Sequence, residues 1–457
     1  MKTLFGVALV MVILFWTIRY RPAAAIVGFF IIFSLVTRTL ALAYVDLAGP
    51  VYAIELLDWV GGDQSMLLFA SSVCLFLIPL AVLFRPSELN RLLPPKKNQL
   101  HVNQRSSKII FVMLAIYLFV LFVNLLMVGS IPLFSDIDRL EYHKTAGFLH
   151  AGVMKNWFWL SGIMSIMMVV PRLTGSDFNL RYLGLFVCLL VYFALSGNRF
   201  SVFYASFGFF LIPFGAVSAL SSAKLLKPIR LQRSAVSILI TSNKVKNLAL
   251  IIFSFVIAAL VANNIINVRA YGDPIDQFIQ RSLIQPVQLY WTTWRDLDSR
   301  EMFVNEIWSW VFFDPIVPDK NTSIQALMAK NIGVQRTAEL LSFGQQYGGG
   351  YPEILFELFG IYGGLLVGLI FGLISSWLLR FIVVSVAYCR VLTSLIAIYV
   401  FYSVSVLYIG GMLNFLLVWI FWVKTCVLIF SHIYESRIYQ RQFQALKPAL
   451  RNCGVII

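Results

Sequence analysis

The chain has 457 residues, of which 60% are hydrophobic and 12% are charged, with a net charge of +15 and a mean hydropathy of +0.83. Ordinary soluble domains carry about 45–50% apolar and about 25% charged residues. The composition therefore excludes an ordinary soluble protein and predicts a polytopic membrane protein. The positive charge alone would also fit a nucleic-acid partner, an interpretation that its distribution along the chain excludes below.

Eleven apolar stretches predict membrane-spanning helices, because about 20 apolar residues are needed to cross a bilayer. The first stretch leads directly into the second and lacks the small-residue cleavage pattern of a signal peptide, so we expect a short first helix. The fold class predicted is all-α, with a single integral membrane domain over residues 1–457. The stretches are 4–18, 22–45, 65–84, 109–130, 156–171, 182–197, 200–220, 248–266, 352–379, 391–409 and 411–433.

Basic residues collect in the loops on one side of this predicted domain. Two of these loops, residues 85–108 and 221–247, hold six Lys or Arg residues each. Such an excess marks cytoplasmic loops, so we expect the N-terminus outside and the C-terminus inside. Of the 21 acidic residues, only Glu88, Asp177 and Glu435 fall on the predicted cytoplasmic side. The positive charge is therefore a topology signal beside the membrane, and no nucleic-acid motif accompanies it.

One outer connection, residues 267–351, is far longer than the roughly 15 residues above which unstructured loops become uncommon. Its apolar residues Ile275, Phe278, Ile279 and Leu283 recur at helical spacing and predict a helix on the membrane surface. A second helix is predicted over Ile324–Leu341. We therefore expect a long outer loop region that contains helices.

Arginine is enriched on the outer side, against the usual positive-inside trend. Its planar and permanently charged guanidinium suits bidentate binding of phosphate oxygens, so we expect an anionic ligand for the group as a whole. For any single arginine, pairing with an outer acid such as Asp273, Asp296 or Asp298 is the alternative. The outer arginines are Arg139, Arg199, Arg269, Arg281, Arg295, Arg300 and Arg336.

Two cations lie inside predicted spans, and a third lies in a very short link between two spans. Arg199, in the stretch ALSGNRFSVFY, sits in a tight link between two apolar runs. A charge in such a position usually faces a cavity or a partner, and the alternative is a side chain that snorkels at a helix end. Arg38 and Lys424 lie within spans, where substrate contact and a structural role both remain open.

His143 and His150 belong to an outer loop that is rich in acidic residues. Their spacing matches no metal-ligand motif, so we predict no metal site and no cofactor. A solvated polar loop, substrate contact and proton transfer are the alternatives for these histidines. The chain also lacks a P-loop, a dinucleotide fingerprint, GxSxG and HExxH, so nucleotide-driven chemistry is unsupported.

The stretch GGGYPEILFELFGIYGGLLVGLIFGL combines a glycine-rich start with two acids and a ladder of glycines. The ladder, which has the spacing of small residues at helix contacts, predicts close packing on one helix face. Helical periodicity places Glu353 and Glu357 on the same face as Gly360. We therefore expect both acids to point into the protein at its outer rim. The ladder comprises Gly360, Gly364, Gly368 and Gly372.

This order of spans and loops resembles the Wzy-type O-antigen polymerases. The resemblance rests on GSIPLFSDIDRLEYHK after a span, ALSGNRFSVFY between two spans, and the glycine-rich stretch after a long outer loop. It implies a bacterial inner-membrane glycosyltransferase of lipopolysaccharide biosynthesis with a GT-C-like architecture of about 11 transmembrane helices. The implied reaction joins undecaprenyl-pyrophosphate-linked repeat units at the periplasmic face, and the implied partners are a chain-length regulator and a flippase.

The resemblance also suggests roles for the polar residues. Fixed cations would stabilise the pyrophosphate leaving group without a metal or a nucleotide, and a general base would accept the proton of the attacking sugar hydroxyl. The candidates for the base are Glu353, Glu357 and His143. Those for substrate contact are Tyr271 and Tyr351, and those for pyrophosphate binding are Arg199, Arg269, Arg281, Arg139 and Arg336.

Two alternatives remain. The O-antigen ligase shares the architecture and the donor, but it carries a histidine shortly before the corresponding glutamate, where this chain has only glycines and Tyr351. A lipid-linked oligosaccharide flippase or transporter is expected to show inverted repeats and broken helices that meet at mid-membrane. The sequence shows no paired halves, and its polar residues lie in outer loops, which favours a polymerase.

Overall fold

The computed structural model describes residues 1–62, 65–94, 104–129, 131–134, 139–198, 200–223, 225, 276, 279–297, 323–342 and 349–452. The chain is mostly helical, as expected for an all-α polytopic membrane protein. Within the described residues, eight helices are long and apolar enough to cross a membrane. The predicted span 248–266 lies outside them, as do Arg199, Arg269 and Tyr271.

The described residues of the first part of the chain form ten helices and a small hairpin. In order they are α1 (Lys2–Tyr20), α2 (Pro22–Ala48), β1 (Val51–Ala53), β2 (Asp58–Val60), α3 (Met66–Leu83), α4 (Pro86–Leu92), α5 (Gln104–Met127), α6 (Arg139–Thr145), α7 (Gly147–Leu173), α8 (Arg181–Leu195), α9 (Phe200–Leu211) and α10 (Phe214–Ser222).

The described remainder begins with a π-helical turn, Gln280–Ile284. After it come α11 (Gln288–Arg295), α12 (Ser323–Ile332), α13 (Val334–Ser342), α14 (Glu353–Ala387), α15 (Val391–Gly410), α16 (Asn414–Leu417) and α17 (Trp419–Asn452). We call the end of the bundle where α2 ends and α3 begins the loop face. The opposite end, where α1 ends, is the basic face.

The predicted spans that lie within the described residues fall on helices, with differences in length or continuity at several places. The stretch 200–220 is divided between α9 and α10. The stretch predicted over 156–171 forms a longer helix that begins at Gly147. The stretch 182–197 forms the shorter apolar helix α8. The last stretch, 411–433, divides into α16 and the much longer α17.

The core of the bundle is built around α3, which packs between α1 and α14. Gly372 of α14 lies directly against the backbone of α3 at Leu75, where a β-carbon would clash. Gly364, Gly368 and Gly372 are all buried. The prediction that these glycines permit close packing is confirmed.

Gly360 behaves differently, and its predicted place in an uninterrupted helix is wrong. Its backbone (φ 68°, ψ −175°) is non-helical and kinks α14. A β-carbon on Gly364 would lie 2.6 Å from the Phe356 ring, although a straight helix would separate these two residues by about 12 Å along its axis. The chain therefore doubles back at Gly360, and we call residues 353–359 the short arm and residues 361–387 the long arm.

The turn before the short arm is buried deep in the bundle. The Tyr351 hydroxyl donates a 2.8 Å hydrogen bond to the carbonyl of Ser72, and its ring lies 4.8 Å from that of Tyr408. Ser72 is six residues inside α3, which corresponds to about 9 Å below the start of that helix. The segment 349–359 is thus re-entrant: it rises through the bundle toward the loop face before the long arm descends.

A cap of short elements covers the loop face. β1 and β2 pair as an antiparallel hairpin, which is the one departure from an all-α fold among the described residues. Gln285 and Gln288 donate hydrogen bonds of 2.5 and 2.7 Å to the carboxylate of Glu55 in this hairpin. The helix predicted over Ile324–Leu341 is instead two helices, α12 and α13, separated by Gly333 (φ 83°).

Candidate functional site

Glu357 lies at the loop face, where the short arm meets the cap. Thr293 of α11 donates a 2.8 Å hydrogen bond to its Oε1, and the Lys330 ammonium of α12 lies 2.8 Å from its Oε2. The Glu357 side chain is 2% exposed, whereas that of Lys330 is 23% exposed. The arrangement therefore holds a carboxylate under the cap and a cation that solvent reaches in part.

Glu353 lies one turn earlier on the short arm and is completely buried. Its Oε1 is 2.6 Å from the Nη2 of Arg38 in α2 and accepts the backbone N–H of Gly350 at 2.6 Å. Arg38 also donates to the carbonyl oxygens of Pro286, at 2.8 Å, and Tyr351. This buried ion pair is also hydrogen-bonded to backbone groups of Pro286, Gly350 and Tyr351.

The burial of both side chains confirms that the two acids point into the protein, but only Glu357 lies at the rim, because Glu353 lies deeper, beside the buried turn. The structure does not bring them to one cation, because Glu353 pairs with Arg38 and Glu357 with Lys330. Tyr351, predicted as a substrate contact, is fully buried with its hydroxyl bonded to Ser72. This placement favours a packing role for Tyr351.

A second polar cluster lies at the loop-face ends of α7 and α8. His143 of α6 is hydrogen-bonded through Nδ1 to Nε2 of His150, and Nδ1 of His150 is 2.8 Å from the hydroxyl of Tyr192. The ring of Tyr142 packs edge-on against His150 at 4.9 Å. His143 is half-buried while His150 and Tyr192 are buried, so the three side chains form a hydrogen-bonded chain leading inward.

Of the predicted pyrophosphate-binding arginines, Arg281 and Arg336 have side chains that the structure describes. Arg281 is exposed on the π-helical turn, and Arg336 is half-buried on α13. Arg139 is the first residue of α6 and its side chain lies outside the described set. Arg295 follows the alternative interpretation, because it pairs with Asp58 at 2.7 Å and with Asp296 at 3.2 Å. The roles of the other arginines stay predictions.

Lys330 and Thr293 are not among the site residues predicted from the sequence, and for Arg38 the sequence leaves both a substrate contact and a structural role open. Lys330 lies 27 residues before Glu357 and Arg38 lies 315 residues before Glu353, so no local pattern joins either pair. A charge inside a predicted span was the available signal for Arg38. Lys424, the other such charge, lies 3.8 Å from the Tyr399 ring centroid and 3.5 Å from the Ser403 hydroxyl.

The comparisons with known proteins give a partial match. The family model described as "Family of unknown function (DUF6418)" matches residues 317–423. That range includes both arms of α14 together with Lys330 and Arg336, while Arg38 and Thr293 lie outside it. No curated protein and no solved structure matches the chain. Among the described residues, no group of three or more His, Cys, Asp or Glu side chains is placed to hold a metal ion.

Proposed function

We propose that this chain is an O-antigen polymerase of the Wzy type, a GT-C-like membrane glycosyltransferase that joins undecaprenyl-pyrophosphate-linked repeat units. The observation that carries the proposal is the Glu357 site: a buried carboxylate held by Thr293 and Lys330 at one end of a multi-pass bundle. The end of such a bundle lies near the membrane surface, and a lipid-linked sugar presents its reacting groups there. We place this face in the periplasm and the protein in the bacterial inner membrane.

In the proposed reaction, a hydroxyl oxygen of the acceptor sugar attacks the anomeric carbon of the donor glycan. The bond from that carbon to the pyrophosphate oxygen breaks, and undecaprenyl pyrophosphate leaves with the electron pair. Glu357 accepts the hydroxyl proton, acting as a positioned general base. Lys330, partly exposed beside it, stabilises charge on the leaving group, and the predicted arginines at the loop face would add to that field.

The absence of a histidine in Gly348–Tyr351 supports a polymerase over a ligase, by the resemblance described above. The re-entrant short arm, in contrast, favours a transporter or flippase as a second candidate, because broken helices are typical of transporter substrate sites. In such sites the positive end of a half-helix faces an anionic substrate. Here the start of the short arm is already occupied by the Arg38–Glu353 pair, which argues against that use.

A glycan profile of a strain that lacks the protein tests the proposal. A polymerase is expected to leave single repeat units on lipid A-core. Loss of attachment with free polymer on its carrier would indicate a ligase, and lipid-linked repeat units retained on the cytoplasmic leaflet would indicate a flippase. Either of the last two results overturns the proposal.

Complementation with Arg199→Ala adds a test at residue level. We expect insertion into the membrane at the wild-type level and loss of polymer, because a leaving-group cation is removed. Polymer of normal length and amount would contradict the role predicted for Arg199.

A further inference from the structure

The turn that precedes the short arm places irregular backbone inside the bundle. Gly349, Gly350 and Tyr351 are not helical, yet all three are buried. Backbone at such depth is tolerated only where its polar groups find partners within the protein. The position of this turn therefore depends on the side chains that satisfy it.

Arg38 joins the turn to the rest of the bundle from the side of α2, in addition to the contacts that Tyr351 makes with Ser72 and Tyr408. It lies ten residues before the end of α2, which corresponds to about 15 Å below the loop face. Its guanidinium donates to Pro286 of the cap, to Tyr351 of the turn and to Glu353 of the short arm. It also stacks 5.3 Å from the Phe69 ring of α3, so one residue links α2, α3, the cap and the re-entrant segment.

The chemistry of this link requires an arginine and a neighbouring glycine. A guanidinium presents five donors in one plane, whereas a lysine ammonium is a point charge that does not reproduce this fork. Glu353 completes the network by accepting the Gly350 N–H. A β-carbon on Gly349 would lie 2.5 Å from the Glu353 carboxylate and 3.2 Å from Arg38, so the turn leaves no room for a side chain there.

We infer that Arg38 and Glu353 form a positioning pair that seats the short arm and thereby holds Glu357 against Lys330 and Thr293. Glu357 is four residues after Glu353 on the same short helix, so a shift of Glu353 away from Arg38 also shifts the Glu357 carboxylate at the rim. This inference rests on the proposed function where turnover is concerned. It assigns Glu353, one of the predicted bases, to positioning, because Glu353 is fully buried and bonded to Arg38 and Gly350.

The experiment separates seating of the arm from stability of the fold. Arg38→Met combined with Glu353→Gln removes both charges together, which avoids the unpaired buried charge that each single change would leave. The arm is monitored by the rate at which an amine-selective reagent modifies Lys330 in detergent-purified protein, measured by mass spectrometry. Glu357→Gln serves as the positive control, and Arg295→Met serves as the matched control at an ion pair that does not touch the arm.

We expect the double variant to elute as a monodisperse folded protein and its Lys330 to be modified as fast as in Glu357→Gln, while Arg295→Met matches the wild type. Turnover of lipid-linked repeat units should fall by about 10- to 100-fold, as expected when a reacting group is misplaced by about 1 Å. Modification of Lys330 at the wild-type rate in the folded double variant would overturn the inference. If the double variant yields no folded protein, the same measurement is made on Arg38→Lys. Modification of Lys330 at the wild-type rate in that variant would then overturn the inference.

The two readouts keep this inference distinct from the proposed function. Faster Lys330 modification together with unchanged turnover would support the seating role and contradict the use of Glu357 in catalysis. Absence of turnover in the wild type would contradict the proposed function, while the Lys330 measurement would still decide whether Arg38 and Glu353 seat the arm.

Discussion

Two ion pairs of nearly equal length lie in very different surroundings in this molecule. Arg38 and Glu353 are 2.6 Å apart with side chains 4% and 0% exposed, whereas Arg295 and Asp58 are 2.7 Å apart with side chains 43% and 47% exposed. From distance alone, the two pairs would be expected to contribute equally to stability. Desolvation separates them, because a buried charge that loses its partner has no water to replace it, while an exposed charge does.

Neutralising the acid of each pair should give the largest contrast. Glu353→Gln leaves the Arg38 charge buried, and breaking a buried pair from one side costs about 3–5 kcal/mol. Asp58→Asn should cost about 0–1 kcal/mol, as is typical of exposed pairs. Thermal unfolding of the purified variants in one detergent measures both. Equal losses of stability in the two variants would contradict the claim that desolvation distinguishes the two ion pairs.

A change beside the buried pair should have an intermediate effect. Gly349→Ala introduces a methyl group 2.5 Å from Glu353 Oε1 at a backbone φ of 112°. Gly175→Ala is the matched control, because Gly175 also has a positive φ, 94°, but nothing lies within 4 Å of its added β-carbon. We expect Gly349→Ala to be the more destabilising by about 1–3 kcal/mol, the usual cost of overpacking. Identical melting curves for the two variants would show that the surroundings of the buried pair accommodate the added methyl group.

The exposed pair should show a small dependence on pH and salt. The hydrogen bond from Arg295 lowers the pKa of the Asp58 carboxyl, so its stabilisation is present above the ordinary aspartate pKa of about 3.9 and is lost as pH falls through the lowered folded value. As the pH falls below the ordinary aspartate value of about 3.9, the stability advantage of the wild type over Asp58→Asn should shrink, and it should disappear once the pH is below the lowered folded pKa. High salt should remove the same advantage at neutral pH. An advantage that survives both conditions would contradict this account of the pair.

The sequence predicts most of the membrane-embedded fold, because long apolar runs carry their own signal. It does not predict the break at Gly360. The spacing of Gly360, Gly364, Gly368 and Gly372 fits continuous helix packing, whereas the backbone of Gly360 and the closeness of Gly364 to Phe356 show that the chain doubles back. The glycines and Pro352 before Glu353 favour an irregular turn, but they do not specify its depth.

The candidate site was predictable only in part. Periodicity on one helix placed Glu353 and Glu357 on an inward face, and the structure confirms this. Their partners come from elements far away in the chain, so identifying Arg38 and Lys330 required the tertiary fold. The exposure of Arg281 and the Asp58 pairing of Arg295 show the same limit, since a count of outer arginines does not tell which of them is available to a ligand.

The most direct test of the central claim is chain elongation by the purified protein in liposomes that contain an undecaprenyl-pyrophosphate-linked repeat unit. The assay compares the wild type with Glu357→Gln without added nucleotide or metal. We expect the wild type to form polymer and Glu357→Gln to be slower by about 10²- to 10⁴-fold, the usual contribution of a general base. Failure of the wild type to elongate the glycan, or equal rates for the two proteins, would contradict the claim.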